Sequence, residues 1–166
     1  MPPRLLETPR LILEPTTRAH AAETWPGLDD ERMWTYFPHL RPHSLDHLST
    51  IYERRAVGSP DESQRWLNFV CRDRESGAAV GEVQATIALA DCTSYVAYDI
   101  FASEQGKGYG REAVRGLIEH LKETYRIERF FAEIHPENAP SIALIEALGF
   151  KRVQTREDEL LYELTR

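Results

Sequence analysis

The segment Gln105-Gly106-Lys107-Gly108-Tyr109-Gly110, followed at once by a helix-periodic run from Arg111 to about Tyr125, constrains this chain more than any other stretch. Three glycines at alternate positions let the main chain bend so that successive backbone N–H groups converge. The helix that follows adds its own unbonded first-turn amides and the positive end of its dipole. Such a nest wants an anion, and its backbone construction suits a pyrophosphate. Two better-known phosphate loops do not fit. The nucleoside-triphosphate loop needs Ser or Thr after its Lys, where this chain has Gly108. The dinucleotide fingerprint G-x-G-x-x-G is replaced by G-x-G-x-G at Gly106, Gly108 and Gly110.

Periodicity orders the rest. Leu11 and Leu13, alternating with Ile12, read as a first strand stopped by Pro15, and Thr16 or Thr17 can cap a helix that runs towards Trp25 before Pro26-Gly27 ends it. An acidic and aromatic stretch then leads to a helix capped by Ser44, with Leu45, Leu48, Ile51 and Tyr52 on one face; this region is expected to be broken. Runs at 66–71, 80–87 and 94–101 form an antiparallel meander, its first turn at Glu75-Ser76-Gly77. In the helix after the glycines, Ala113, Val114, Leu117, Ile118 and Leu121 share the core face. A β-type run at 129–134 follows, then a short apolar helix with Asn138 as cap, Pro140 in its first turn and Gly149 as terminator. Runs at 150–154 and 160–164 close the sheet as a hairpin.

The pattern [QR]-x-x-G-x-[GA], met by Gln105, Gly108 and Gly110 after a strand ending near Phe101, resembles the acetyl-coenzyme A motif of the GCN5-related N-acetyltransferase (GNAT) family. Asn138 with Ser141, the Glu146-to-Phe150 segment and the Thr8-to-Glu14 opening resemble the RimJ/RimL branch of ribosomal-protein N-terminal acetyltransferases. The resemblance covers nearly the whole chain. It implies one N-acetyltransferase domain over 1–166 with an α/β (α+β) fold. The sheet would be mixed, mostly antiparallel and six- to seven-stranded, flanked by about four helices and splayed between its fourth and fifth strands, 94–101 and 129–134. It also implies an enzyme that moves the acetyl group of acetyl-CoA to a primary amine, a protein N-terminal α-amine first, by direct attack in a ternary complex. A small amine such as an amino acid, polyamine or antibiotic is the alternative acceptor. A coenzyme A-binding sensor without turnover is the alternative from another class.

By the same resemblance, backbone amides of Gln105, Gly106, Lys107, Gly108, Tyr109 and Gly110 hold the pyrophosphate, with Lys107 and Arg111 adding charge. Ile100 and Phe101 pair with the pantetheine arm, and one N–H there polarises the thioester carbonyl. Asn138 contacts the arm and Ser141 the sulfur, as general acid; many family members carry that acid as a tyrosine where this chain has Ile145. Glu133 is the first candidate base, with Asp99 and Glu82 in reserve. An α-amine, with a pKa of about 8 against about 10.4 for lysine, is the easier acceptor to deprotonate. Asp29, Asp30 and Glu31 beside Trp34, Tyr36 and Phe37 form the expected acceptor wall, acidic groups next to aromatic faces suiting an ammonium.

Composition narrows the classes. A chain of 166 residues can bury about two-thirds of its unfolded surface without disulfide or metal staples. The two cysteines, Cys71 and Cys92, have no paired spacing and are expected as free thiols in a reducing compartment. A formal charge of −7 argues against direct nucleic-acid binding, which needs a basic face. None of the six histidines has ligand spacing, so no metal is expected. No apolar run reaches the roughly 18 residues of a membrane span, and the start lacks a signal-peptide core. Cytoplasmic residence without membrane contact is the simplest expectation; a homodimer through sheet edges is compatible with the pattern.

Overall fold

The computed structural model describes residues 3–165. Along the chain come β1 (Leu6–Glu7), β2 (Leu11–Pro15), α1 (Ala21–Leu28), α2 (Leu45–Val57), β3 (Gln64–Asp73), β4 (Ala79–Ala88) and β5 (Thr93–Ile100). After the glycine-rich loop follow α3 (Tyr109–Tyr125), β6 (Arg129–Ile134), α4 (Ala139–Ala147), β7 (Lys151–Thr155) and β8 (Leu160–Thr165). The strands form one eight-stranded sheet in the order β1-β2-β3-β4-β5-β6-β8-β7. Among the described residues only β5 and β6 pair in parallel, and every other pairing is antiparallel. The strand beyond the expected count is the two-residue β1, which pairs Leu6 with Leu13 and Glu7 with Ile12.

Strand alternation sorts the helices onto two faces. Val83 and Tyr98 are opposite one another in the β4–β5 register, and Tyr98 meets Ser141 of α4. Glu82 and Asp99, one residue away on each strand, face the other side, where Tyr52 of α2 meets Glu82. The larger core lies on the α3–α4 side, where Ala113, Val114, Leu117 and Leu121 are fully buried against Leu11, Phe69, Val83 and Phe130. Each such aliphatic side chain contributes about 1.5–3 kcal/mol on burial. Ala21, Leu28, Leu48, Tyr52 and Phe101 make the smaller core beneath α1 and α2.

Three local details differ from expectation. Pro26-Gly27 does not end α1, which runs to Leu28 with Pro26 inside it. Within one turn of the C-terminus, Pro26 forfeits a single helical bond, and a Cβ on Gly27 would lie 2.5 Å from the Phe101 ring, so that glycine is where helix and ring pack. Second, α2 is unbroken, with the Ser44 hydroxyl accepting from the His47 N–H at 3.1 Å. The irregularity lies ahead of it, in two 3-10 turns at Glu31–Trp34 and Pro38–Leu40. Third, α3 begins at Tyr109 because Gly108, at φ 83°, supplies a left-handed cap.

The sheet opens between β5 and β6, the strands expected to splay. Their pairing stops after Thr93–Arg129, Ser94–Phe130 and Tyr95–Phe131, while β6 stays paired with β8 along all of Arg129–Ile134. Tyr95 stacked on Phe131, centroids 5.2 Å apart, is the last rung before the gap. From Val96 to Ile100 one edge of β5 therefore borders a slot that reaches both faces.

Candidate active site

A cleft of about 600 Å³ runs through this slot. Its walls are Tyr98, Asp99 and Ile100 of β5, the loop residues Gln105, Gly106 and Gly108, Tyr109, Gly110 and Arg111 of α3, and Asn138 and Ser141 of α4. Arg32, Met33, Thr35 and Tyr36, from the connection between α1 and α2, close the far side.

Backbone direction decides which β5 groups are available. The Phe101 N–H donates to the Val80 carbonyl at 2.9 Å, so Phe101 and, by alternation, Asp99 spend their backbone groups on β4. Tyr98 and Ile100 point theirs across the slot. This corrects the expectation for Phe101: its amide is occupied and its ring is buried beneath α1. The Ile100 carbonyl accepts from the Gln105 side chain at 2.9 Å, tying the strand end to the glycine loop.

Gly106 and Gly108 have φ of 79° and 83°, a region that side chains disfavour. Gly110 is required by space instead: a Cβ there would lie 2.7 Å from Leu144 and 3.2 Å from Ile100. Lys107 does not line the cleft and pairs with Glu104 of its wall at 2.7 Å, so its charge is engaged. Arg111 lines the wall and has no ion pair among the described residues. The loop is held from behind by a clip that sequence reading left without a role. Arg10 donates to the Lys107 carbonyl at 2.8 Å and to Glu112 at 2.7 Å, and its guanidinium lies 4.8 Å from the centre of the Tyr109 ring. The Arg10 N–H and the Thr8 hydroxyl also bond Glu112, at 2.7 and 2.6 Å. Burial pushes the Glu112 carboxyl up, but these donors together hold it below its usual range. The partners are about a hundred positions apart, so no spacing announces them.

Ser141 and Tyr98 meet over the slot, hydroxyl to hydroxyl at 2.6 Å. Burial raises the Tyr98 hydroxyl to about 12, so it keeps its proton at neutral pH. Asn138 caps α4 by accepting from the Ser141 N–H at 3.3 Å. Ile145, at the family's tyrosine position, is fully buried in the core. Tyr98 is the hydroxyl that sequence reading missed; nothing in its strand pattern distinguishes it from a packing residue.

The carboxylates separate clearly. Glu133 is exposed and faces Glu159 rather than the cleft; partial burial and that second carboxylate raise its pKa. Glu82 is 3% exposed, accepts from Tyr52 and lies 3.6 Å from Arg55. Asp99 is half-buried in the cleft wall, and its carboxylate has neither hydrogen bond nor ion pair among the described residues. Burial first, and Glu82 second, raise its carboxyl to about 6 against a restraining Arg55.

The expected acidic wall is otherwise employed. Asp29 pairs with Arg41 at 3.0 Å. Asp30 is chelated by Arg32 at 2.5 Å, which with the Arg32 N–H lowers its carboxyl to about 2. Trp34 donates to the Leu28 carbonyl at 2.6 Å and packs on the smaller core. None of these three lines the cleft. Tyr36 does: it stacks on His135 at 4.9 Å and donates to the Glu137 carbonyl at 3.0 Å, latching the connection to the β6–α4 loop.

Elsewhere, Glu14, His20 and Glu23 bring potential metal-ligand atoms within 4.8 Å of one another, a grouping the spacing does not reveal. Arg72 already bonds both carboxylates, at 2.9 and 2.7 Å. Both cysteines are free, Cys71 buried. No helix among the described residues is long and apolar enough to cross a membrane.

Residues 10–151 match the family described as Acetyltransferase (GNAT) domain. An N-acetyltransferase 9-like protein of Caenorhabditis elegans is 29% identical over 173 residues, covering 93% of this chain and 83% of its own length. An acetyltransferase of the GNAT family from Bacillus anthracis superposes with a TM-score of 0.85 over 98% of both chains, at 16% identity. RimL, a ribosomal L7/L12 alpha-N-protein acetyltransferase solved in complex with coenzyme A, superposes with a TM-score of 0.83 over 98% of both chains, at 14% identity.

Proposed function

We infer the reaction from a fixed premise: the chain belongs to the GNAT family and is an acetyl-CoA-dependent N-acetyltransferase. We propose that it acetylates a protein N-terminal α-amine, attacked directly by that amine in a ternary complex. The observation that carries this reading is Asp99, a carboxylate in the slot with a pKa of about 6 and no partner among the described residues. Moving a proton to such a group costs about 3 kcal/mol from an α-amine of pKa about 8, but about 6 kcal/mol from a lysine or polyamine nitrogen of pKa about 10.4. The base is matched to the more acidic amine. RimL, which shares the fold, is named for that acceptor class.

The slot supplies each step. Acetyl-CoA enters on the α3–α4 side, its pyrophosphate on the amides of Gln105 to Gly110 with Arg111 beside them and its arm along Tyr98 and Ile100. The acceptor enters on the α2 side, between Tyr36 and Asp99. Asp99 takes a proton from the ammonium, and the freed nitrogen forms the C–N bond at the thioester carbon. The resulting oxyanion is met by N–H groups on the open edge of β5. As the C–S bond breaks and the carbonyl reforms, the thiolate takes its proton from Ser141, which Tyr98 orients; the second proton shed by the nitrogen restores Ser141 and leaves the amide, and Asp99 returns its proton to solvent. Cys71 takes no part; burial pushes its thiol far above the reactive range.

Release of free thiol from acetyl-CoA, followed with peptides bearing free N-termini, the same peptides blocked but carrying internal lysine, spermine and an aminoglycoside, tests this. Turnover with free N-termini alone is expected. Turnover confined to spermine or the aminoglycoside overturns the acceptor class, and coenzyme binding without turnover on any amine overturns catalysis.

A further inference from the structure

Glu82 is buried to 3% exposure and directly opposite Asp99 in the β4–β5 register. Directly opposed side chains on one face have Cβ atoms about 4.5–5.5 Å apart. A carboxylate there is a poor choice for stability, since an apolar residue of similar volume would avoid its desolvation. α2 instead invests two side chains in it. Tyr52, itself fully buried and bonded to Thr24 of α1, donates to one oxygen, and Arg55 lies 3.6 Å from the other.

Resting on the reading of Asp99 as base, we propose that Glu82, gripped by Tyr52 and Arg55 of α2, is a positioning residue for Asp99: the Glu82 charge strengthens that base and the Arg55 charge weakens it. Among the described residues no other charged group acts on Asp99. On β3 the residue opposite Glu82 is the apolar Val70, α1 offers only the Thr24 hydroxyl, and the Cys71 thiol and the Tyr98 phenol lie on the opposite face. The causes acting on the Asp99 carboxyl have the matching signs, Glu82 raising it and Arg55 lowering it. One turn of α2 is thereby wired to the chemistry in the slot without touching either substrate.

Titrating the aspartate carboxyls of full-length, carboxyl-¹³C-labelled protein by NMR, with the Asp99 signal assigned by its loss in D99N, separates these possibilities. Wild type is expected to titrate at about 6. Glu82→Gln, which still accepts from Tyr52, should lower the Asp99 midpoint by about one unit, and Arg55→Gln should raise it. Midpoints that stay at the wild-type value, or move in the same direction in both variants, overturn the inference. Arg55 is a partly exposed helix residue, so R55Q keeps the test alive if E82Q fails to fold. Turnover by D99N decides the underlying reading separately. Lost turnover with unmoved midpoints sinks only the role of Glu82, whereas retained turnover removes Asp99 as base and this inference with it.

Discussion

The two ends of the slot are built on opposite plans. At the end proposed for the coenzyme the protein offers main chain, and the side chains nearby are spent on bracing: Gln105 on Ile100, Lys107 on Glu104, Arg10 on the loop and on Glu112. At the end proposed for the acceptor it offers a side chain left unbraced, Asp99, in a setting that works against its charge. A diphosphate is met by fixed dipoles that need no adjustment. A proton in transit needs the reverse, a group whose two charge states are close in free energy. Full satisfaction on one side and deliberate frustration on the other follow from what each end must do.

The sharpest way to break this contrast is Asp99→Asn. Turnover should fall by about 10²–10⁴-fold, while coenzyme affinity, measured by calorimetry, stays near wild type. The protein should at the same time become more stable at pH 7. The folded-state pKa of Asp99 is raised to about 6 from 3.8, so the folded state holds the proton more tightly than the unfolded chain between those values. Wild type therefore loses stability as pH rises through that window, and D99N lacks the slope. A gain of about 1–3 kcal/mol above pH 6 is the expected size, read by denaturant unfolding at pH 4 and pH 7. A variant that is inactive and also less stable at pH 7 would mean that Asp99 is a structural group.

Ser141→Ala tests the next step at the meeting of the two ends. A drop of less than a hundredfold is expected, because a thiolate is a tolerable leaving group near neutral pH; complete loss with normal coenzyme affinity would make Ser141 indispensable. Gly110→Ala probes the coenzyme end alone. Its Cβ would press on Leu144 and Ile100, overpacking worth about 1–3 kcal/mol. Coenzyme affinity should weaken by about tenfold or more while the rate at saturation is kept. Arg10→Ala should act in the same sense but more weakly, raising the KM for acetyl-CoA several-fold through the loosened loop, with Arg10→Lys restoring part of it. A fall in kcat with either variant would erase the division between the ends.

What could be read from sequence follows the same division. The glycine loop, the α3 stripe and the Asn138 cap are local patterns, in which each residue's type is fixed by neighbours a few positions away. They are legible for that reason, as is the order of strands that makes the splay. The clip from Thr8 and Arg10 to Glu112, and the meeting of Tyr98 with Ser141, join residues far apart in the chain and leave no periodic trace. Among carboxylates, Glu133 stood out by its distance from Asn138, yet register turns it towards Glu159 and gives the slot to Asp99. Phe101 failed for a still finer reason, the one-residue alternation of backbone direction along β5.

The smallest expected effect is the most useful negative. Asp29 and Asp30, acidic and beside aromatics, look from sequence like an ammonium wall, but each already has a guanidinium, from Arg41 and Arg32. Arg32 holds Asp30 through both carboxylate oxygens and Arg41 holds Asp29 through one, and a carboxylate paired in this way offers an incoming amine little field, since its charge is cancelled at contact distance. Asp29→Asn with Asp30→Asn should therefore leave the acceptor KM unchanged and lower the melting temperature only slightly, through loss of the turn before Trp34. Tyr36→Ala should raise that KM by contrast, since Tyr36 lines the slot and latches its wall to His135 and Glu137. If the double aspartate variant weakened the acceptor while Tyr36→Ala did not, amine recognition would belong to the outer acidic turn. Asp99 would then receive its substrate from a site outside the cleft rather than bind it directly.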